Sequence, residues 1–254
     1  MTLPLDQKVA LVTGGAQRVG AAIVRALHAA GANVMLHYRT SEKPAQALQA
    51  ELNAARADSV ALVQADLLDI AGLPELVKNT LARFGRLDVL VNNASTFFPT
   101  PVGEITERHW DDLVGTNFKV PLFLSQAAAP ALKKTGGCIV NLVDIHAERP
   151  LRGHLLYSAA KAALAGLTRS LARELGSEVR VNGVAPGAVL WPEEHQGGQG
   201  MFDSVTRQRI ISATPLKSAG SPEDVARTVL FLAAEAPFVT GQIIAVDGGR
   251  SIYI

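Results

Sequence analysis

Asp144, Tyr157 and Lys161 bring a carboxylate, a phenol and an ammonium into one short stretch of chain, the equipment for proton transfer to a bound reactant. Tyr157 and Lys161 stand four residues apart. On a helix that spacing puts both side chains on one face, so the ammonium can sit near the phenol oxygen and favour its ionised form. A free tyrosine titrates near a pKa of about 10, and such a cation would make Tyr157 a usable proton donor at neutral pH. Asp144 follows the apolar run Cys138–Val143, which reads as a strand. It would emerge at the carboxyl end, where open parallel sheets keep their chemistry. Taken alone, Tyr-x-x-x-Lys is a weak signal, because helices carry that spacing by chance. Its weight depends on the elements that would position it.

Those elements read as one domain spanning residues 1–254. A chain of 254 residues with 48% hydrophobic and 19% charged side chains can bury a large core without dividing in two. The 24 basic and 23 acidic side chains leave a formal charge of +1, which excludes the basic footprint of a nucleic-acid binder and a polybasic membrane patch. Small molecules are the expected partners. The one cysteine, Cys138, lies in an apolar strand and has no internal disulfide partner, so it reads as a core residue in a reducing compartment. Met1–Lys8 lacks an apolar signal core, and no apolar run approaches the ~18 residues of a membrane span. The expected location is cytoplasmic.

Apolar runs alternate with amphipathic stretches along the chain. Val9–Val12, Asn33–His37, Val60–Gln64, Val89–Asn92, Ile139–Val143, Val179–Val184 and Ile243–Val246 read as strands, with helix-like segments between them. That alternation predicts an α/β fold: a doubly wound parallel sheet of about seven strands with helices on both faces. Arg18–Ala30 has helical spacing and stops at Gly31, while Ser221-Pro222-Glu223-Asp224 has the form of a helix start. Residues 188–215 break the rhythm. They hold Trp191, Pro192, Gly197, Gly198, Gly200 and Met201-Phe202 without a clean period, and are read as a flap over a pocket. Trp191 would either shield a substrate or pack the flap down.

Strand Val9–Val12 leads through Thr13-Gly14-Gly15-Ala16-Gln17-Arg18-Val19-Gly20 into a helix. Glycines and backbone N–H groups at a helix N-terminus suit a pyrophosphate. Asp66-Leu67 after the third strand and Asn92-Asn93-Ala94-Ser95 after the fourth add polar groups at the same sheet edge. NAD-selective sites have an acid at the end of the second strand for the ribose 2′-hydroxyl. Here the segment is His37-Tyr38-Arg39-Thr40-Ser41, whose guanidinium and hydroxyls suit a 2′-phosphate, so the expected cofactor is NADPH.

With these elements assembled, the chain resembles the short-chain dehydrogenase/reductase family over essentially its whole length. The resemblance rests on Thr13-Gly14 through Gly20, Asp66, Asn92-Asn93-Ala94, Asn117, Tyr157 with Lys161, Arg180-Val181-Asn182, Pro186-Gly187 and Asp247-Gly248-Gly249. It implies a Rossmann-like fold, a dinucleotide that also touches Pro186 and Gly187, a homotetramer, and a catalytic set of Asn117, Tyr157 and Lys161. In that set Tyr157 is the acid, Lys161 holds the nicotinamide ribose and biases the phenol, and Asn117 keeps a proton-relay water in place.

The chain departs from the general pattern of that family at two positions. Most members have glycine where Arg18 stands and serine where Asp144 stands. A serine hydroxyl donates to a ketone oxygen as it becomes an alkoxide, whereas an ionised carboxylate repels that charge. Asp144 therefore argues for protonation of a C=N nitrogen, or for a hydrogen bond to an amino-pyrimidine edge. With Arg18, Asp144, His37-Tyr38-Arg39 and Asn92 through Pro101, the chain looks like the pteridine reductase branch of the family. That branch implies Arg18 on cofactor phosphate and ligand, Phe97 stacked on a pterin, and Ser95 as a polar contact. Stacking of this kind is worth about 1 kcal/mol beyond burial.

Blander readings stand beside these. Phe97 and Phe98 are adjacent, so one of them packs in the core. Asp144 could cap a helix or pair with Arg149 or Arg152, and Arg18 could face solvent. The expected activity is NADPH-dependent reduction of a dihydropterin or dihydrofolate-like substrate. A ketone reductase for 3-oxoacyl thioesters and a non-catalytic dinucleotide sensor are the rival readings.

Overall fold

A computed structural model of the protein describes residues 3–189 and 204–252. Its centre is a parallel sheet of seven strands: β1 (Val9–Val12), β2 (Asn33–Tyr38), β3 (Val60–Gln64), β4 (Val89–Asn92), β5 (Cys138–Leu142), β6 (Arg180–Pro186) and β7 (Ile243–Val246). They run in the order β3-β2-β1-β4-β5-β6-β7, so the winding reverses between β1 and β4. Open α/β sheets bind ligands at such a switch point, beyond the carboxyl ends of the strands. The turns after β1, β2, β3, β4, β5 and β6 all open on that edge.

Side-chain alternation along the strands feeds two helical layers. Ala10 and Val12 of β1, Val89 and Val91 of β4, and Val140 of β5 pack under α1 (Arg18–Ala29), α2 (Glu42–Ala55) and α8 (Pro222–Leu230). Leu11, Leu90 and Ile139 point the other way, into α3 (Leu73–Phe84), α5 (Val120–Thr135) and α6 (Leu155–Leu175). Leu11, Leu90 and Ile139 are fully buried, and burying such a side chain stabilises by roughly 1.5–3 kcal/mol. Cys138 is buried in the opposite layer, with Val89, Val91 and Val140, and burial pushes its thiol up to about 11, so it is an inert core residue.

Helix ends follow their sequence signals. Ser221 caps α8 through a reciprocal pair with Asp224, with Pro222 at the first position. Between α4 (Glu107–Val114) and α5 the chain makes a π turn over Gly115–Lys119, a local under-winding that re-aims its residues. The strands differ from the sequence-based bounds by a residue or two: β2 extends to Tyr38, β5 runs from Cys138 to Leu142, and β6 from Arg180 to Pro186.

The aperiodic reading of residues 188–215 is corrected at its end, where Ser204–Ala213 forms helix α7. Nothing on α7 is buried, so there is no apolar stripe for periodicity to reveal. Residues 190–203, Trp191 among them, lie outside the described residues. Among the described residues, no helix is long and apolar enough to cross a membrane.

Candidate active site

The sheet edge bounds a cavity of about 650 Å³, within the range of small-molecule and cofactor sites. Its walls include Gly14, Arg18, Val19 and Gly20 from the first turn and Tyr38, Arg39, Thr40 and Ser41 from the end of β2. Asp66, Leu67, Asn93, Ala94, Ser95 and Phe97 follow, then Asp144, Tyr157, Lys161, Pro186 and Gly187. Of the residues expected at a site, Asn117 alone among those described does not line it.

The glycine-rich turn is built by backbone geometry. Gly14 has φ +62°, a conformation that costs glycine little. A Cβ on Gly20 would collide with the Gly14 carbonyl oxygen, so the start of α1 can pack against the turn only without a side chain there. Asn93 holds the turn from the far side: its Nδ2 donates to the carbonyls of Thr13 at 2.9 Å and Gly14 at 3.0 Å. The Thr13 hydroxyl accepts from the backbone N–H groups of Asn93 and Ala94 in return. Asn93 is thus a brace whose amide is occupied by the protein itself. Ser41 donates to Gln17 at 3.3 Å, tying the end of β2 to the same turn. A cradle of this shape at a helix N-terminus fits a dinucleotide pyrophosphate.

Arg18 stands in the left-handed region at φ +54°, where a non-glycine residue is strained. The strain coincides with the position at which the family resemblance expects glycine. Its side chain is exposed along the cavity wall.

At the other end, β5 and α6 bring the reacting groups together. Tyr157 donates its hydroxyl proton to Asp144 Oδ2 at 2.7 Å. Asp144 Oδ1 accepts from the backbone N–H of His146 at 2.8 Å, so the carboxylate also caps the short turn Ile145–Ala147. Asp144 thus both meets Tyr157 and caps a turn, and among the described residues neither Arg149 nor Arg152 pairs with it. Burial, then the Asp144 charge and its hydrogen bond, push the Tyr157 phenol well above its usual range.

Lys161 Nζ donates to the Leu142 carbonyl at 2.8 Å and lies 5.6 Å from the Tyr157 ring centroid. Burial pushes Lys161 down to about 8, with Asp144 opposing that shift. The Asp144 carboxylate, hydrogen-bonded to the phenol, favours its protonated form.

Phe97, and not Phe98, lines the cavity. Its ring stacks on His154 at 4.6 Å and 12°, and meets Tyr157 edge-on at 4.7 Å. Phe98 turns away towards His109. Asn117 sits in the π turn, 1% exposed, with Nδ2 donating to the carbonyls of Thr96 and Leu113 and Oδ1 accepting from Ser95 at 2.6 Å. Both its N–H groups are spent on the protein, so its side chain secures the Ser95–Thr96 segment. Sequence reasoning missed His154, the backing of Phe97, and Ile210 and Arg250, which join the cavity wall from α7 and the segment after β7. No motif marks contacts made across such distances in sequence.

Residues 14–251 match the family model described as enoyl-(acyl carrier protein) reductase. Pteridine reductase 1 of Leishmania tarentolae is 39% identical, with 99% of each chain covered. The 3-oxoacyl-(acyl-carrier-protein) reductase FabG of Staphylococcus aureus is 36% identical over 95% of this chain and 97% of its own. The corresponding reductase of Synechocystis is 35% identical over 98% and 99%. Identities this close do not discriminate a pteridine from a 3-oxoacyl substrate.

Proposed function

The chain belongs to the short-chain dehydrogenase/reductase family, an oxidoreductase family with a nicotinamide dinucleotide cofactor, and from that premise we propose that it reduces a C=N bond of a dihydropterin or dihydrofolate-like molecule with NADPH. The observation that carries this reading is the 2.7 Å bond from Tyr157 to Asp144. A ketone reductase needs donors aimed at a developing alkoxide, and a carboxylate beside that oxygen would raise the barrier. A ring nitrogen needs a proton to receive, and the carboxylate keeps that proton on Tyr157 until transfer.

The dinucleotide, when bound, supplies the hydride. Tyr157 delivers its proton to the ring nitrogen and is reprotonated from solvent, while the Asp144 carboxylate, accepting the Tyr157 hydroxyl hydrogen, orients the phenol and keeps it protonated until transfer. Lys161, between Leu142 and the cavity, adds positive charge beside the ribose. Phe97, held between His154 and the edge of Tyr157, offers a face on which a pteridine ring stacks, with Arg18 and Ser95 as polar contacts. Pro186 and Gly187 close the cofactor wall. Arg39, Thr40 and Ser41 favour a 2′-phosphate, because no acid among the cavity-lining residues closes the end of β2. A cytoplasmic homotetramer completes the proposal.

The test is NADPH oxidation with dihydrobiopterin against acetoacetyl-CoA. Turnover of the pteridine alone supports the reading. Efficient turnover of the thioester alone would move the protein to its ketone-reducing relatives, the second reading that the similarity to the 3-oxoacyl reductases keeps in play.

A further inference from the structure

His37, the penultimate residue of β2, is 1% exposed and lines the cavity, yet the proton-transfer chemistry does not use it. Its two ring nitrogens face partners with one role each. Ala65 offers a carbonyl at 3.1 Å from Nε2, so Nε2 must carry the hydrogen. Gly14 offers its backbone N–H at 3.1 Å from Nδ1, so Nδ1 must be a bare acceptor. The His37 carbonyl also accepts from the N–H of Gly15 at 2.9 Å. Two successive peptide groups of the glycine-rich turn therefore hang on this residue.

Gly14 is held through both of its flanking peptide groups, its N–H by the His37 ring and its carbonyl by Asn93. That carbonyl is also the atom against which Gly20 packs, so the backbone setting of Gly14 decides how the start of α1 seats on the turn. We propose that uncharged His37 is a positioning residue of the dinucleotide site, and that its protonation releases the turn and weakens dinucleotide binding. The physical reason is a clash of donors: a hydrogen on Nδ1 points at the Gly14 N–H, leaving both donors unpaired in a buried site.

Charge around the ring works in both directions. Burial is the largest effect and pushes His37 below the usual imidazole range. The bond to Ala65 and the Asp66 carboxylate beyond β3 oppose that shift, whereas Arg39 after β2 reinforces it. The turn from Thr13 to Gly20 contributes one ionisable side chain, Arg18, and the Asn93 segment none. The inference requires only that the chain bind a nicotinamide dinucleotide, so it stands or falls separately from the pteridine reading.

Three proteins decide it: the wild type, His37→Asn, whose carbonyl can accept from Gly14 but cannot titrate, and His37→Phe, which accepts nothing. Dissociation constants for NADPH and NADH are measured by fluorescence as pH falls from about 8 to about 5, through the ordinary imidazole range and below it. The NADH arm removes the ionisation of the 2′-phosphate. Wild-type affinity should fall about tenfold more than that of His37→Asn, one lost buried hydrogen bond. His37→Phe should bind weakly throughout. Nitrogen-15 NMR of the cofactor-free protein should show hydrogen on Nε2 and none on Nδ1 at neutral pH. Parallel pH curves for the wild type and His37→Asn, or hydrogen on Nδ1, would overturn the proposal, even if His37→Phe does not fold.

Discussion

The two ends of the cavity are built in different currencies of structure. Around Gly14 and Gly20 the protein uses backbone: a positive φ, a missing Cβ, and peptide groups braced by Asn93 and Thr13. Around Tyr157 it uses side chains: a carboxylate, a phenol and an aromatic ring, each delivered by a different element and joined by direct contacts. The first arrangement recognises a group common to all dinucleotides and tolerates little change. The second can be retuned by one substitution while the scaffold stays put, which is how relatives 36% and 39% identical can act on different substrates.

If the division is real, substitutions at the two ends should fail in different ways. The largest expected effect is at the reacting end. Tyr157→Phe should lower pteridine turnover by about 10³-fold, the range of a positioned acid, while the NADPH dissociation constant changes less than threefold or so. Equal losses in both would show that the ends are not independent. Gly20→Ala should do the reverse, weakening NADPH by roughly 10- to 100-fold, because the methyl group meets a backbone carbonyl that cannot move aside cheaply. Titration by fluorescence checks it, and unchanged affinity would mean that the turn is more pliable than its contacts indicate.

The smallest effect should be the most specific. Arg18→Gly removes a side chain from the left-handed region, so the melting temperature should rise by about 2–4 °C for relief of about 1 kcal/mol. The pteridine KM should meanwhile increase about tenfold, the worth of one charged contact. A variant that gained stability without losing substrate affinity would reduce Arg18 to a solvent-facing residue.

The sheet was legible in the sequence because both of its faces are buried: Ala10, Leu11 and Val12 form one apolar run whose alternate members feed opposite layers. The glycine turn was legible for a related reason, since its steric demands fall on residue types fixed at short spacing. Asp144 could be read only as a departure from an expected serine, and its bond to Tyr157 needed the register of β5 against α6. Helix α7 escaped notice because a helix with no buried residue carries no period. Four-residue spacing places Lys161 near Tyr157, but the bond of its ammonium to the buried Leu142 carbonyl has no sequence signal. The hold of His37 on Gly14 spans 23 positions and has no local signature.

The central claim is that Asp144 turns a family scaffold from alkoxide stabilisation towards protonation of a ring nitrogen. It is tested most directly by the ratio of kcat/KM for dihydrobiopterin to that for acetoacetyl-CoA, measured in the wild type and in Asp144→Ser with NADPH saturating. The account predicts that pteridine turnover drops by at least about 10²-fold, with NADPH affinity little changed and the ratio shifted towards the thioester. An Asp144→Ser enzyme that reduces dihydrobiopterin at the wild-type rate would contradict it.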